Sequence, residues 1–169
     1  MRSTLSIVLC VLIIIGACHK AGSKQCPSDD YAYTFVNNAR IDTVSRPIRD
    51  PRYNMLIATV VPGARRVFTY QHIHSECPDV QDGGSTGTLV FEADPNVSHF
   101  KYYADSVAAA NCYWRTSCYG CNAGAVVPIG GTIEGTRVND NKWKIDIDVK
   151  TNSSSVSVLK VSADFIPGQ

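Results

Sequence analysis

The chain has 169 residues, with 16 lysine and arginine residues against 15 aspartate and glutamate residues, and a hydrophobic fraction of 44%. A nearly neutral chain with this apolar content has the composition of a folded domain, which excludes intrinsic disorder. Binding to nucleic acid through bulk charge is also excluded, because that mode needs a positive excess or a basic stripe.

The N-terminus carries the pattern of a secretory signal. Arg2 is followed by an uncharged, mostly apolar stretch, residues 5–17. As a helix, this stretch of about 13 residues would extend about 20 Å, which is short of the hydrocarbon core of about 30 Å. We therefore expect a signal sequence at this position rather than a membrane span.

The apolar stretch ends in Ile15, Gly16, Ala17 and Cys18. These four residues resemble the lipobox of bacterial lipoproteins, with Ile in place of the commoner Leu at the first position. The resemblance implies that residues 1–17 are removed as a signal peptide and that Cys18 becomes the acylated first residue of the mature chain. Its acyl chains would anchor the protein to a membrane, at about 0.8 kcal/mol per buried methylene.

The residues that follow the lipobox bear on the compartment. His19 and Lys20 stand where lipoproteins kept in the inner membrane typically have Asp, so the resemblance implies sorting to the outer membrane. The pair is similar to the start of Bacteroidota lipoproteins, and the acidic run associated there with surface export is missing, which favours the periplasmic face. The alternative is ordinary signal-peptidase cleavage, with Ala21 and Ser23 before Lys24, which would give a freely secreted protein.

The mature part of the chain divides into a tether and one domain. Residues 18–30 contain the lipobox cysteine and several Gly, Ser and Pro residues, as expected of a short tether. Residues 31–169 have the length of a single domain.

Within this domain, short runs of strand-forming residues alternate with turn residues. The clearest run is 143–149, in which apolar side chains alternate with Lys and Asp, as in an antiparallel strand with one buried face. The predicted strands are 31–36, 55–61, 66–74, 88–93, 99–103, 132–138, 143–149 and 156–165. A change of apolar parity in the last of these predicts a bulge near Val158.

The segment 105–111 has helix-forming residues over about two turns and is the one predicted helix. The last three predicted strands form a meander, because the turns between them are short. Eight short strands with regularly spaced turns predict an all-β fold, namely an antiparallel β-sandwich with one short helix. An open β-barrel is the alternative.

Two histidines alternate in a predicted strand and form a candidate metal site. His72 and His74 are two residues apart, so both rings point to the same face of the strand. Two imidazoles on one face can bind Zn²⁺ or Cu²⁺, and Glu76, Asp79 and His99 could complete the site.

The histidine pair also resembles the His-x-His of cupins and of copper/zinc superoxide dismutases. The further ligands of those families have no counterparts in this sequence. The competing interpretation is an aromatic strand face, because Phe68 and Tyr70 share the parity of His72 and His74. That interpretation is favoured, and it predicts no cofactor.

The sequence has seven cysteines. Cys10 leaves with the signal and Cys18 takes the lipid, so the disulfide candidates in an oxidising compartment are Cys26, Cys77, Cys112, Cys118 and Cys121. An odd number leaves at least one cysteine unpaired, and the sequence does not determine the pairing. Structural disulfides are the favoured interpretation, and the alternatives are a redox pair at Cys118 and Cys121 or a thiolate zinc site.

The motifs of hydrolases, kinases and dinucleotide enzymes are missing from the sequence. An aromatic group around the cysteines suits a glycan or protein contact if exposed and a core if buried; its members are Tyr102, Tyr103, Tyr113, Trp114 and Tyr119. We therefore predict a non-enzymatic envelope lipoprotein whose domain binds or scaffolds an envelope protein or a glycan. The alternatives are a metal-binding protein at His72 and His74 and a thiol redox protein at Cys118 and Cys121.

Overall fold

The computed structural model describes residues 28–47, 54–75, 84–103, 106–118, 124–153 and 156–168. These residues form eight β-strands and one four-residue helix, so the predicted all-β class is confirmed. The elements are β1 (Asp30–Pro47), β2 (Asn54–His74), β3 (Ser85–Ala93), β4 (His99–Tyr103), α1 (Ser106–Ala109), β5 (Tyr113–Cys118), β6 (Gly130–Asn139), β7 (Lys142–Lys150) and β8 (Val158–Pro167).

The strands form one open sheet in the order β4-β6-β7-β8-β1-β2-β3-β5. Neighbouring strands are antiparallel except β1 and β8, which run parallel where Thr34 pairs with Ile166 and Phe35 with Pro167. At this short junction the sheet folds over on itself, with β4-β6-β7-β8 in one layer and β1-β2-β3-β5 in the other. The arrangement is the predicted sandwich, and the sheet does not close into a barrel.

The hydrophobic core lies between the two layers. Phe68 of β2 is fully buried, and its ring centroid lies 5.4 Å from that of Trp143 on β7 and 5.6 Å from that of Phe100 on β4. The alternation predicted for 143–149 is confirmed, because the apolar side chains of β7 are all buried in this core. Each such side chain contributes about 1.5–3 kcal/mol when fully buried.

The first hairpin is longer than predicted. The predicted strands 55–61 and 66–74 are one strand, β2, and the predicted strand 31–36 continues to Pro47 in β1. The chain keeps its pairing past the expected turn because a bulge absorbs the irregularity: Ala39 pairs with both Pro62 and Arg65.

The predicted bulge near Val158 is wrong. β8 begins at Val158 and pairs with β7 without any register shift as far as Phe165. The change of parity instead marks the beginning of the strand, because Val156 lies before β8, whereas Leu159 and Phe165 face the core.

One strand was missed and the helix is shorter than predicted. The missed strand is β5, which ends at Cys118 and pairs with β3 along one edge. Along its other edge, Trp114 of β5 pairs with Val126 in an isolated bridge. Of the predicted helix 105–111, the structure describes residues 106–111, and of these only Ser106–Ala109 is helical. In the part of the chain described by the structure, no helix is both long and apolar enough to cross a membrane.

Candidate binding sites

The distal half of the β1–β2 hairpin, residues 39–47 and 54–62, is here called the arm. It lies over the outer face of the β2-β3-β5 layer, where apolar side chains of the arm and the layer form a second small core: Ala39, Ile41 and Ala58 from the arm, with Val67, Val90 and Tyr113 from the layer. The backbone N–H of Ala125 donates to the carbonyl of Leu56 at 2.6 Å. The arm is therefore held against the sheet near its base and near its free end.

A buried carboxylate fixes the base of the arm. Glu92 of β3 is only 5% exposed, and its Oε1 accepts the backbone N–H of Ile41 at 2.5 Å. Its Oε2 accepts the side-chain N–H of Asn111 at 3.0 Å and lies 3.7 Å from Nε of Arg65. Since burying a carboxylate is costly unless it is paired, Glu92 stabilises only the position of the arm in which these bonds form.

Between the arm and the layer lies a cavity of about 230 Å³, which we call the arm cavity. The arm contributes Ala58, Thr59 and Val60, and Ala125 closes one side. The layer contributes two rows of cross-strand neighbours, Thr69–Val90–Tyr113 and Gln71–Thr88–Arg115. Hydroxyl, amide and guanidinium groups thus face apolar side chains in a small space, and none of the described residues that line it is a His, Cys, Asp or Glu.

The arm cavity was not predicted from the sequence, because the cavity depends on a hairpin that bends back over its own sheet. One signal was present. Val67 and Val90 are apolar, although they point away from the main core. Their chain neighbours Phe68 and Leu89 face that core, so Val67 and Val90 lie on the opposite face of the layer. Apolar residues on both faces of a strand indicate that a second element covers the outer face.

His72 and His74 lie at the end of β2 on the inner face of its layer, as the spacing predicts. Both rings contact one carboxylate: Nε2 of His72 lies 2.8 Å from Oδ2 of Asp29, and Nδ1 of His74 lies 2.6 Å from Oδ1. The ring of Tyr31 stacks on that of His72 with a centroid distance of 4.8 Å. Hydrogen bonds from His72, the larger cause, and from His74 lower the pKa of Asp29 below its ordinary value of 3.8.

Of the other predicted metal ligands, the structure describes only His99, and it does not join this pair. His99 lies on β4, where Nδ1 is 3.1 Å from the hydroxyl of Thr136 and Nε2 is 3.7 Å from Glu134, so its assignment to the site is wrong. Glu76 and Asp79 lie outside the described residues. Within the described ranges, no group of three or more His, Cys, Asp and Glu is arranged to hold a metal ion.

The two histidines line a cleft of about 210 Å³ at the open end of the sandwich, together with Ser85, Gly87, Trp114, Thr116 and Val156. The indole of Trp114 lies against the backbone of β3, because a Cβ on Gly87 would come within 2.4 Å of its Cη2 atom. The Nε1 donor of Trp114 is buried without a hydrogen-bond partner. This end cleft joins the aromatic core to the histidine pair, so the predicted aromatic strand face and the histidines occupy one continuous surface.

The cysteines divide as follows. Cys118 is disulfide-bonded, whereas Cys112 is free and 1% exposed in the main core. Cys112 is therefore an unpaired residue and the assignment of a disulfide to it is wrong; burial raises the pKa of its thiol above the ordinary value. Cys26, Cys77 and Cys121 lie outside the described residues.

The predicted aromatic group also separates. Trp114 belongs to the core, Tyr113 lines the arm cavity, and Tyr103 is 61% exposed. Tyr102 packs against the core, where its ring stacks on Phe100. Tyr119, like Cys18 and the signal sequence, lies outside the described residues.

No family model, curated protein or solved structure matches this chain. The function is therefore inferred from the arm cavity and the end cleft themselves.

Proposed function

We propose that the protein is a non-enzymatic binding protein of the bacterial envelope, anchored to the outer membrane through an acylated Cys18, and that its ligand occupies the arm cavity. The arm cavity is the observation that carries the binding function. The resemblance of Ile15–Cys18 to a lipobox supports the anchor.

The lining of the arm cavity favours binding over catalysis. Thr69, Thr88, Gln71 and Arg115 can orient a polar molecule by hydrogen bonds. The side chains that most often transfer protons near neutral pH are His, Asp and Glu. The nearest histidines in the strands of the cavity, His72 and His74, line the end cleft on the other face of β2.

The arm cavity is also held in shape before any ligand arrives. Glu92 fixes the base of the arm, and the hydrogen bond from Ala125 to Leu56 fixes its free half. A cavity whose walls are already ordered loses less conformational entropy on binding, which favours affinity.

The test of the binding function is a ligand screen on the processed chain by amide proton–nitrogen NMR. A defined panel of monosaccharides, sugar acids, amino acids and short dicarboxylates is titrated, and we expect a saturable shift at Thr69, Thr88 and Arg115. The variant Thr88→Phe places an aromatic ring in the cavity and should abolish the shift. The matched control is Thr86→Phe, two residues earlier on the same face of β3 and outside the cavity lining.

Three results would contradict the proposal. One is saturable binding that moves only resonances outside the arm cavity. Another is unchanged binding by Thr88→Phe, and the third is a panel in which no compound moves a cavity resonance.

The anchor is tested separately by intact mass spectrometry of the protein isolated from its source membrane. The proposal expects acyl mass on an N-terminal Cys18. An unmodified N-terminus at Lys24 would instead indicate the secreted form.

A further inference from the structure

We infer that the arm cavity takes one acidic sugar unit, a uronic acid, with its carboxylate on Arg115 and its ring hydroxyls on the threonines of the sheet. The inference rests on the proposed binding function and names the class of ligand for the same cavity.

The charge of the cavity favours an anion. Arg115 is exposed at the cavity and is the one ionised residue among the described residues that line it. It forms no ion pair with any residue in the described ranges. A guanidinium offers two parallel N–H donors, which match the two oxygens of a carboxylate.

Two other hollows on the outer faces carry charges of both signs. Both lie on the β6-β7-β8 layer and contain carboxylates beside lysines: Glu134, Asp146, Asp148 and Lys160 line the first, and Asp164 and Lys144 line the second. An anionic ligand would meet a carboxylate beside each of these lysines, and Lys160 is already paired with Asp148. Among the described residues, an unpaired cation in a lining without carboxylates distinguishes the arm cavity from these two hollows.

The neutral polar groups of the cavity match a polyhydroxylated ligand. Thr69, Thr88 and Gln71 each offer both a donor and an acceptor at adjacent positions of β2 and β3. A sugar ring presents neighbouring hydroxyls that also donate and accept. An alkyl chain in the same place would leave these side-chain groups without partners, which is costly.

The remaining wall and the volume fit one pyranose ring. Tyr113 and Val90 are neighbours on adjacent strands, and Val60 lies on the arm across from them. Such a surface can pack against the C–H face of a sugar. The volume of about 230 Å³ is below that of a typical drug-sized pocket, about 300–1,000 Å³, so a longer glycan would enter by its terminal unit only.

The experiment titrates D-glucuronate into the processed chain, followed by amide NMR and by calorimetry. D-glucose is the neutral control, because it differs at the carboxylate. We expect saturable shifts at Thr69 and Thr88 with a Kd of about a millimolar, the range typical of so small a ligand, and at least tenfold weaker binding of glucose.

Variants at Arg115 locate the carboxylate. Arg115→Met should weaken glucuronate binding about tenfold or more, to the level of glucose, and Arg115→Lys should restore part of the affinity. The matched control Arg46→Met removes an exposed arginine of the arm that does not line the cavity, and it should bind as the unmodified chain does.

The outcomes separate the ligand class from the binding function. Equal binding of glucose and glucuronate, or no effect of Arg115→Met, overturns the acidic sugar. If the cavity responds to other compounds of the panel but not to glucuronate, the acidic sugar is overturned as well, while the binding function stands. A cavity that responds to none of them overturns both.

A uronide trimer then identifies the source of the ligand. Binding of the trimer at least as tight as that of the monomer supports the end of an acidic glycan. Binding of the monomer alone supports a free sugar acid.

Discussion

Replacing Glu92 by Ala removes the group that holds the base of the arm. The side chain accepts a backbone N–H from Ile41 and a side-chain N–H from Asn111, and Ile41 is only 7% exposed. A hydrogen bond to a charged group contributes about 1.5–3 kcal/mol, and the N–H of Ile41 would be left buried and unpaired. We therefore expect the free energy of unfolding to fall by about 3–4 kcal/mol, a large part of the 5–15 kcal/mol typical of a domain.

The assay is urea unfolding at neutral pH with linear extrapolation, combined with hydrogen exchange at the amide of Ile41. Glu92→Gln keeps the shape of the side chain and one acceptor, so we expect a smaller loss, about 1–2 kcal/mol. The matched control is Glu134→Ala, which removes an exposed carboxylate paired with Lys101 at 2.6 Å and should cost at most about 1 kcal/mol.

Two results would refute this reasoning. The first is a loss for Glu92→Ala no larger than that for Glu134→Ala. The second is a large loss without faster exchange at Ile41, because the arm would then be held by other contacts.

Three further experiments test other parts of the molecule. Gly87→Ala forces the indole of Trp114 away from β3, so it should lower the free energy of unfolding by about 1–3 kcal/mol. The control is Gly168→Ala, whose added Cβ would make ordinary contacts only and should cost less than about 0.5 kcal/mol. Equal losses in urea unfolding would disprove the contact. Because the pKa of Asp29 is lowered in the fold, its ionised form stabilises the fold above the ordinary value of 3.8, and this stabilisation is lost as the pH falls through the lowered pKa. Asp29→Asn should therefore flatten the fall in Tm between about pH 5 and about pH 2, and an unchanged slope in thermal scans would exclude the contribution. Finally, the buried thiol of Cys112, whose pKa is raised, should resist alkylation in the native protein and react after unfolding, as read by peptide mass spectrometry; equal rates in both states would contradict its burial.

The part of the fold that the sequence predicted well is governed by local pattern. In β7 the alternation of apolar and charged residues sets the buried face, and short turns then fix its pairing with β6 and β8. The arm could not be predicted in this way. Asn37 and Asn38 are typical of a turn, yet Asn38 takes a left-handed φ of 55° beside a bulge, and the strand continues.

In the candidate sites, too, the features set by local pattern were predicted and those set by tertiary structure were not. The shared face of His72 and His74 follows from the period of a strand, but their partner Asp29 is 43 and 45 residues away in the sequence. The odd number of cysteines predicted a free thiol, whereas only the packing of the core shows that it is Cys112. The arm cavity requires the tertiary position of the arm, which no local pattern specifies.

The parallel junction between β1 and β8 bears on the order in which the domain can be completed. Phe35 near the start of the domain pairs with Pro167 near its end and accepts the N–H of Gly168. A chain that emerges N-terminus first, from a ribosome or across a membrane, can form the β1-β2-β3-β5 layer early, but Phe68 stays without the cover of Phe165 until the last segment arrives. Until then the half-built protein exposes a strand edge and an aromatic surface, the features that chaperones recognise and that promote aggregation. Loss of the final strand would therefore leave the domain open along its middle rather than frayed at one end.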